Sequence, residues 1–195
     1  MVSGAYGIVG YDQTVQTPKL YQPTPDEYQP ITVVAGNYKR FGPIAAGQIL
    51  YQLTPHFGLG LEYRDWNWHD SASLRHEFYL AKARYVFMPE RDWNPYVFGG
   101  AGIDRVYGSA LGFIAPWPWA PFAYEEYGVS VHKQLFAGTA GLGIERSITA
   151  NLFSGVELGI MYIPPINDPD LIVTREVLPF LTARLGFDFG GFGRQ

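Results

Sequence analysis

Apolar and polar residues alternate with a period of two along most of the chain, in segments of about ten residues closed by turn signals, the pattern of strands rather than helices. The pattern predicts strands at about 3–12, 31–53, 57–68, 74–87, 95–107, 133–146, 151–163 and 176–189. In the third, Leu59, Leu61 and Tyr63 share one face, and Gly58, Gly60, Glu62 and Arg64 share the other. The fourth sets Tyr79, Ala81, Ala83, Tyr85 and Phe87 against His76, Lys82 and Arg84. The sixth sets Phe136, Ala140, Leu142 and Ile144 against Thr139, Gly141, Gly143 and Glu145. The seventh opposes Val156, Leu158, Ile160 and Tyr162 to Gly155, Glu157 and Gly159, and the eighth opposes Leu181, Ala183, Leu185, Phe187 and Phe189 to Thr182, Arg184, Gly186 and Asp188. The first, second and fifth strands alternate less cleanly, and the pattern does not assign their faces.

The connections sort by length. Thr54-Pro55-His56, the segment from Met88 to Asn94, and Ser147-Ile148-Thr149-Ala150 are short and follow the second, fourth and sixth strands. Asp12–Pro30, Gly108–His132 and Pro164–Arg175 are long and follow odd-numbered strands. In an up-and-down meander alternate connections fall at alternate ends, so every long loop lands on one side, as in outer-membrane barrels. A Greek-key sandwich has no reason to sort its loops this way.

Alternation alone does not say which face meets water. Three features place the apolar face outside, against lipid. The polar face is rich in Gly, which would leave a solvated exterior bare but suits a narrow lumen. It also carries Glu62, Asp104, Glu145, Glu157 and Asp188 beside Arg64, Lys82, Arg84 and Arg184, which can neutralise one another in one enclosed space. Finally, four lysines (Lys19, Lys39, Lys82 and Lys133) are too few to protect a water-facing sheet from edge pairing. Aromatics gather in two belts: Tyr51, Phe57, Tyr85, Phe87, Tyr96, Phe187 and Phe189 toward the short turns, and Tyr63, Trp66, Tyr79, Tyr107, Phe136 and Tyr162 toward the long loops.

Composition agrees. Of the 195 residues, 47 % are hydrophobic, which excludes disorder, and only 16 % are charged, against about 25 % in an average soluble domain. The net charge of -4 offers no basic footprint for nucleic acid, and the absence of Cys removes disulfides, thiolate metal sites and thiol nucleophiles. Val106–Tyr124 is uncharged and long enough to cross a bilayer, but Pro116, Pro118 and Pro121 forbid a helix there. Met1-Val2-Ser3-Gly4 lacks both the charged start and the apolar stretch of a secretory signal. The expected architecture is one domain over 1–195, an all-β, eight-stranded antiparallel up-and-down transmembrane β-barrel.

Several of these motifs resemble a known group. Asn94-Pro95-Tyr96-Val97-Phe98-Gly99-Gly100-Ala101-Gly102 resembles the fifth-strand opening of small outer-membrane β-barrels of the OmpA-like, opacity-like and OmpW-like type. Thr54-Pro55-His56-Phe57-Gly58-Leu59-Gly60-Leu61-Glu62-Tyr63-Arg64 resembles their turn-plus-strand pattern, as does Gly141-Leu142-Gly143-Ile144-Glu145 followed by Gly155-Val156-Glu157-Leu158-Gly159. Members usually finish on an aromatic residue, whereas this chain runs past Phe189 and Phe192 to Gly193-Arg194-Gln195. The resemblance implies a porin-like membrane protein of the bacterial outer membrane, with the lipid bilayer as its first partner.

Two sets of residues are candidates for function. The predicted lumen charges form either a salt-bridge plug, the favoured reading, or a polar path for ions. The segment 108–132, with Phe113, Trp117, Trp119, Phe122 and Tyr124, is very apolar for an exterior loop, which points to a protein partner or lipid. An enzyme is not expected. Ser130 and His132 lie two apart beside Glu125 and Glu126, but in the reverse order to the His-before-Ser of the lipid A deacylase barrels. His56, His69 and His76 lack metal-ligand spacing, so neither metal nor cofactor is expected. The expected role is therefore structural or surface interaction through the long loops; the alternatives are a narrow channel for small or hydrophobic solutes and a soluble, lipocalin-like ligand-binding barrel.

Overall fold

The alternation is realised as long strands paired antiparallel in chain order. The structure, a computed structural model, describes the backbone of residues 1–24, 27–69, 72–114, 125–168, 171–173 and 177–189, and the side chains of 1–10, 42–66, 75–107, 132–165 and 177–189. Seven strands follow one another: β1 (Val2–Thr24), β2 (Glu27–Gln52), β3 (Phe57–His69), β4 (Ala72–Val86), β5 (Trp93–Ile114), β6 (Glu125–Ser147) and β7 (Leu152–Tyr162). A small hairpin, β8 (Ile166–Asp168) and β9 (Leu171–Val173), precedes the last wall strand, β10 (Val177–Phe187). β10 pairs with both β7 and β1, from Val2↔Phe187 to Val9↔Phe180, so eight strands close into a barrel. Closure gives every strand of the wall two neighbours there and removes the exposed edges that lipid cannot satisfy.

The wall is inside-out relative to a water-soluble barrel. Leu61, Leu142, Leu158 and Leu185 are 67 %, 61 %, 58 % and 56 % exposed, whereas Glu157, Arg84 and Arg184 are at most 5 % exposed. A lipocalin-like barrel requires the opposite arrangement, and that alternative is overturned. From Tyr79 of β4 to Phe87 just beyond its end the outward apolar run spans nine residues; at about 3.3 Å per residue and a tilt of about 40° it makes a band roughly 20 Å tall.

Two expectations need correction. Asp12–Pro30 and Gly108–His132 are not simply loops: β1 and β2 pair as far as Thr24↔Glu27, and β5 and β6 as far as Ile114↔Glu125. Pro18 and Pro30 are tolerated there because these extensions rise beyond the wall. β2 pairs β3 only over Ile44–Gln52, so Pro18 and Pro30 sit in a two-stranded ribbon with free edges. Pro164–Arg175 likewise contains the β8–β9 hairpin, which touches β1 at Val15 and Gln16. The second correction concerns the belts. Tyr96 and Trp66 point inward and are fully buried, while Tyr51, Tyr85, Phe87, Phe187, Phe189, Tyr79, Phe136 and Tyr162 stand outside.

Inside, space is divided between large side chains and glycines across the ladder. Tyr96 faces Gly143, Phe98 faces Gly141, Phe180 faces Gly159 and Phe153 faces Gly186. The inward charges follow the same rule: Lys82 lies between Gly60 and Gly100, Arg84 opposite Gly58, and Arg184 opposite Gly155. A Cβ on Gly143 would sit 2.2 Å from the Tyr96 ring. Gly143→Ala is therefore expected to destabilise the barrel by about 1–3 kcal/mol through overpacking, read as a lower urea midpoint in detergent micelles. Gly47→Ala is the control: it faces outward with nothing within 4 Å, and its midpoint should not fall.

Candidate functional site

Period-two spacing puts Glu62 and Arg64 of β3 on one inward face, and Lys82 and Arg84 of β4 on the next. Glu145 of β6, Glu157 of β7 and Arg184 of β10 complete a ring of charges, all buried. Lys82 Nζ donates to Glu62 Oε2 at 2.5 Å and to Glu157 Oε1 at 2.9 Å. Glu157 Oε1 also accepts from Arg184 and, at 3.1 Å, from the Tyr96 hydroxyl. Arg64 donates to Glu62 and stands 3.7 Å from Glu157. Arg184 reaches back to Ser3 and to Gln48 Oε1 at 2.5 Å, and Gln48 also accepts from Lys82 at 3.3 Å. Arg84 grips Glu145 with both terminal nitrogens, at 2.7 and 3.0 Å, in the fork geometry suited to a carboxylate.

Aromatic rings hold the cations from the other side. The guanidinium of Arg64 lies 4.0 Å from the Phe180 ring centre, Lys82 Nζ 4.1 Å from that of Phe98, and Arg84 4.7 Å from that of Tyr96. Charge is thus paired, hydrogen-bonded and packed in one layer. Toward the short turns that layer is covered by Leu50, Val86 and Phe153. Toward the long loops it is covered by Phe78, Leu80, Met161, Leu178 and Phe180.

Seven of the nine predicted lumen charges meet in this layer; Asp104 and Asp188 do not. Asp104 is fully buried but pairs with His76 at 2.8 Å, within the apolar layer and beneath the Trp66 ring, which stacks on His76 at 4.7 Å. Asp188 lies at the short-turn mouth, 4.0 Å from the Met1 amine. The lumen is correspondingly less polar than the alternation suggested, because Trp66, Phe78, Leu80, Tyr96, Phe98 and Phe180 also turn inward. Adjacent glycine-rich strands were the available signal for those aromatics.

Beyond the apolar band the outer wall turns polar. Arg75 binds Asp65 at 2.8 and 3.0 Å and Glu77 at 3.1 Å, while Arg105 lies over the Tyr79 ring at 5.1 Å. A hydrogen bond from Tyr107, helped by Tyr79 and Arg75 against partial burial, holds the Glu77 carboxyl below the usual carboxylate range. His132 stands on this wall with its ring 6.4 Å from that of Tyr107. Ser130, Glu125 and Glu126, and the loop-contact candidates Phe113, Trp117, Trp119, Phe122 and Tyr124, lie outside the described side chains. Among the described residues no group of three or more His, Asp and Glu could hold a metal ion.

The geometry matches solved outer-membrane barrels. Neisserial surface protein A is 13 % identical with a TM-score of 0.58, over 96 % of this chain and 97 % of that one. Outer membrane protein OprG of Pseudomonas aeruginosa is 11 % identical with a TM-score of 0.54, over 97 % and 95 %. The N-terminal β-barrel domain of OprF from Pseudomonas aeruginosa is 14 % identical with a TM-score of 0.50, over 96 % and 97 %. No family model and no curated protein matches the chain. At these identities the likeness is one of fold: the chain has the closed eight-stranded fold of small outer-membrane barrels.

Arg184 tests the charged layer. Its removal strips Glu157 and Gln48 of a donor in a buried site, and Arg184→Ala is expected to lower stability by about 3–5 kcal/mol, measured by urea unfolding in micelles. Arg75→Ala, outside the band and partly exposed, should leave the midpoint near that of the parent.

Proposed function

We propose that the protein is an integral barrel of a Gram-negative-type bacterial outer membrane, closed internally by its own side chains, which acts through its long-loop end. The observation that carries this reading is the exchange of faces: large apolar side chains stand outside while seven ionised groups are paired inside. An apolar wall of this extent far exceeds the few hundred Å² that a water-soluble surface exposes, and lipid is the solvent that suits it. A lumen filled by paired charges and aromatic rings favours a plug over a pore. The work then falls to the long-loop end, where residues 108–132, with Phe113, Trp117, Trp119, Phe122 and Tyr124, supply apolar contact area for a protein partner or lipid. An enzyme has less support, because no element of that reading uses catalytic chemistry.

A second reading, passage of small hydrophobic solutes, is favoured by one feature. β1–β10 pairing ends at Val9↔Phe180, and the next residue of β10, Pro179, has no N–H to continue it.

Unheated protein in detergent is expected to migrate as a compact species whose gel mobility changes on boiling, and to float with vesicles. Planar bilayers should record no stable unitary current; a reproducible conductance would favour the pore. Leu158→Arg, at the middle of the outer wall, should lower stability by about 2–4 kcal/mol in vesicles. Trp117→Ser with Trp119→Ser should abolish partner or lipid contact while the mobility shift persists.

A further inference from the structure

The turn between β4 and β5 builds a groove on the outer wall that the charged layer does not use. It is a shallow, open groove of about 600 Å³. Its floor is Met88, Trp93 and Ile144, which continue the apolar band, and its rim is Glu90, Arg91 and Asp92 from the turn itself. Arg146 adds a second cation: it faces Trp93 across the β5–β6 ladder with its guanidinium 5.4 Å from the indole ring centre.

The groove is held in shape. The buried Asn94 amide, with its nitrogen turned toward the turn, donates to Met88 O at 2.5 Å and Arg91 O at 2.7 Å. Arg91 N donates to Met88 O at 3.3 Å, and Phe87 N to Pro95 O at 2.9 Å. The four rim charges, by contrast, are not spent on one another: among the described residues no ion pair engages Glu90, Arg91, Asp92 or Arg146. At the opposite rim Arg75 is already neutralised by Asp65 and Glu77.

We infer that this groove binds a phospholipid with a zwitterionic, primary-ammonium headgroup, of the phosphatidylethanolamine class. The inference rests on the membrane reading above. An acyl chain lies along Trp93 and Ile144 into the band, and the indole sits at headgroup level, where such rings anchor barrels. The phosphate accepts hydrogen bonds from Arg91 and Arg146, and the ammonium donates to Glu90 and Asp92. A phosphatidylglycerol headgroup would bring no cation to the two carboxylates. A phosphatidylcholine headgroup would bring a cation without N–H donors.

The test extracts the barrel from vesicles holding equal parts of the three phospholipids with matched chains, and counts retained lipid by native mass spectrometry. Phosphatidylethanolamine should be retained about threefold over each of the others, in line with a few exposed charge-assisted contacts. The preference should vanish in the double variant Glu90→Gln, Asp92→Asn; Arg146→Ala should lower retention of all three lipids alike, because each carries the phosphate; and Arg105→Ala at the other rim should change neither. Equal retention of the three lipids by the parent, a preference that survives the double variant, or undiminished retention in Arg146→Ala overturns the groove while flotation with the vesicles leaves the membrane reading standing. A chain that stays in the buffer during flotation overturns both.

Discussion

Glu157 is the point at which five walls of the barrel are tied together. Its carboxylate, on β7, takes hydrogen bonds from Lys82 of β4, Arg184 of β10 and Tyr96 of β5, with Arg64 of β3 close behind. The sheet ladder joins only neighbours, so these contacts are what hold the lumen across its width. They also fix register. A one-residue slip of β7 would exchange Glu157 with Val156 or Leu158, placing a carboxylate in the apolar band and an aliphatic side chain among three cations and a tyrosine hydroxyl. Neither solvent would accept the exchange, so both faces of the strand enforce one alignment. The short-range consequence is packing: with so many groups converging, the walls must yield space, and the inward glycines opposite the large side chains provide it.

The outer face was legible in the sequence because lipid accepts only one kind of residue. Leu59, Leu61, Val156, Leu158, Ile160, Leu181 and Leu185 recur at every second position, and all of them stand outside. The inner face was only half legible, because a filled lumen accepts charged, aromatic and aliphatic side chains alike. In β5, Tyr96, Val97 and Phe98 are consecutive and apolar, so period two offers no way to choose between them; Gly143 and Gly141 across the ladder decide it. Charges were easier to place than aromatics, since a carboxylate at such positions has nowhere to go but inward. Even so, Asp104 shows that inward is not the same as networked: its row neighbour Phe78 fills the space toward the glutamates, and His76 becomes its partner.

Strand length was the least legible feature. Prolines at 18 and 30 interrupt the sequence signal, and in a closed wall each would remove a ladder hydrogen bond. Above the barrel the constraint relaxes, because a two-stranded ribbon needs pairing on one side only. The same reasoning separates the two rims. At the long-loop side polar groups appear on the wall as soon as the apolar band ends, with Asp65, Glu77 and Arg105 in adjoining register positions. At the short-turn side the chain reverses immediately, and Glu90, Arg91 and Asp92 stand on a turn, with Arg146 at the end of β6 beside them.

On the plugged reading proposed above, the lumen opposes passage with two barriers of different kinds, one behind the other. In the charged layer an ion would have to displace groups already paired, and breaking one such buried pair is worth about 3–5 kcal/mol. In the layer above, Phe78, Leu80, Met161, Leu178 and Phe180 offer no polar partner to a dehydrated ion. Weakening one layer does not weaken the other. A neutral hydrophobic solute meets the reverse problem, tolerated among the rings and excluded by the charges. On that reading the vertical route suits neither class of solute, and a transport role would use the wall at the β1–β10 seam, where pairing stops at Val9 and Phe180.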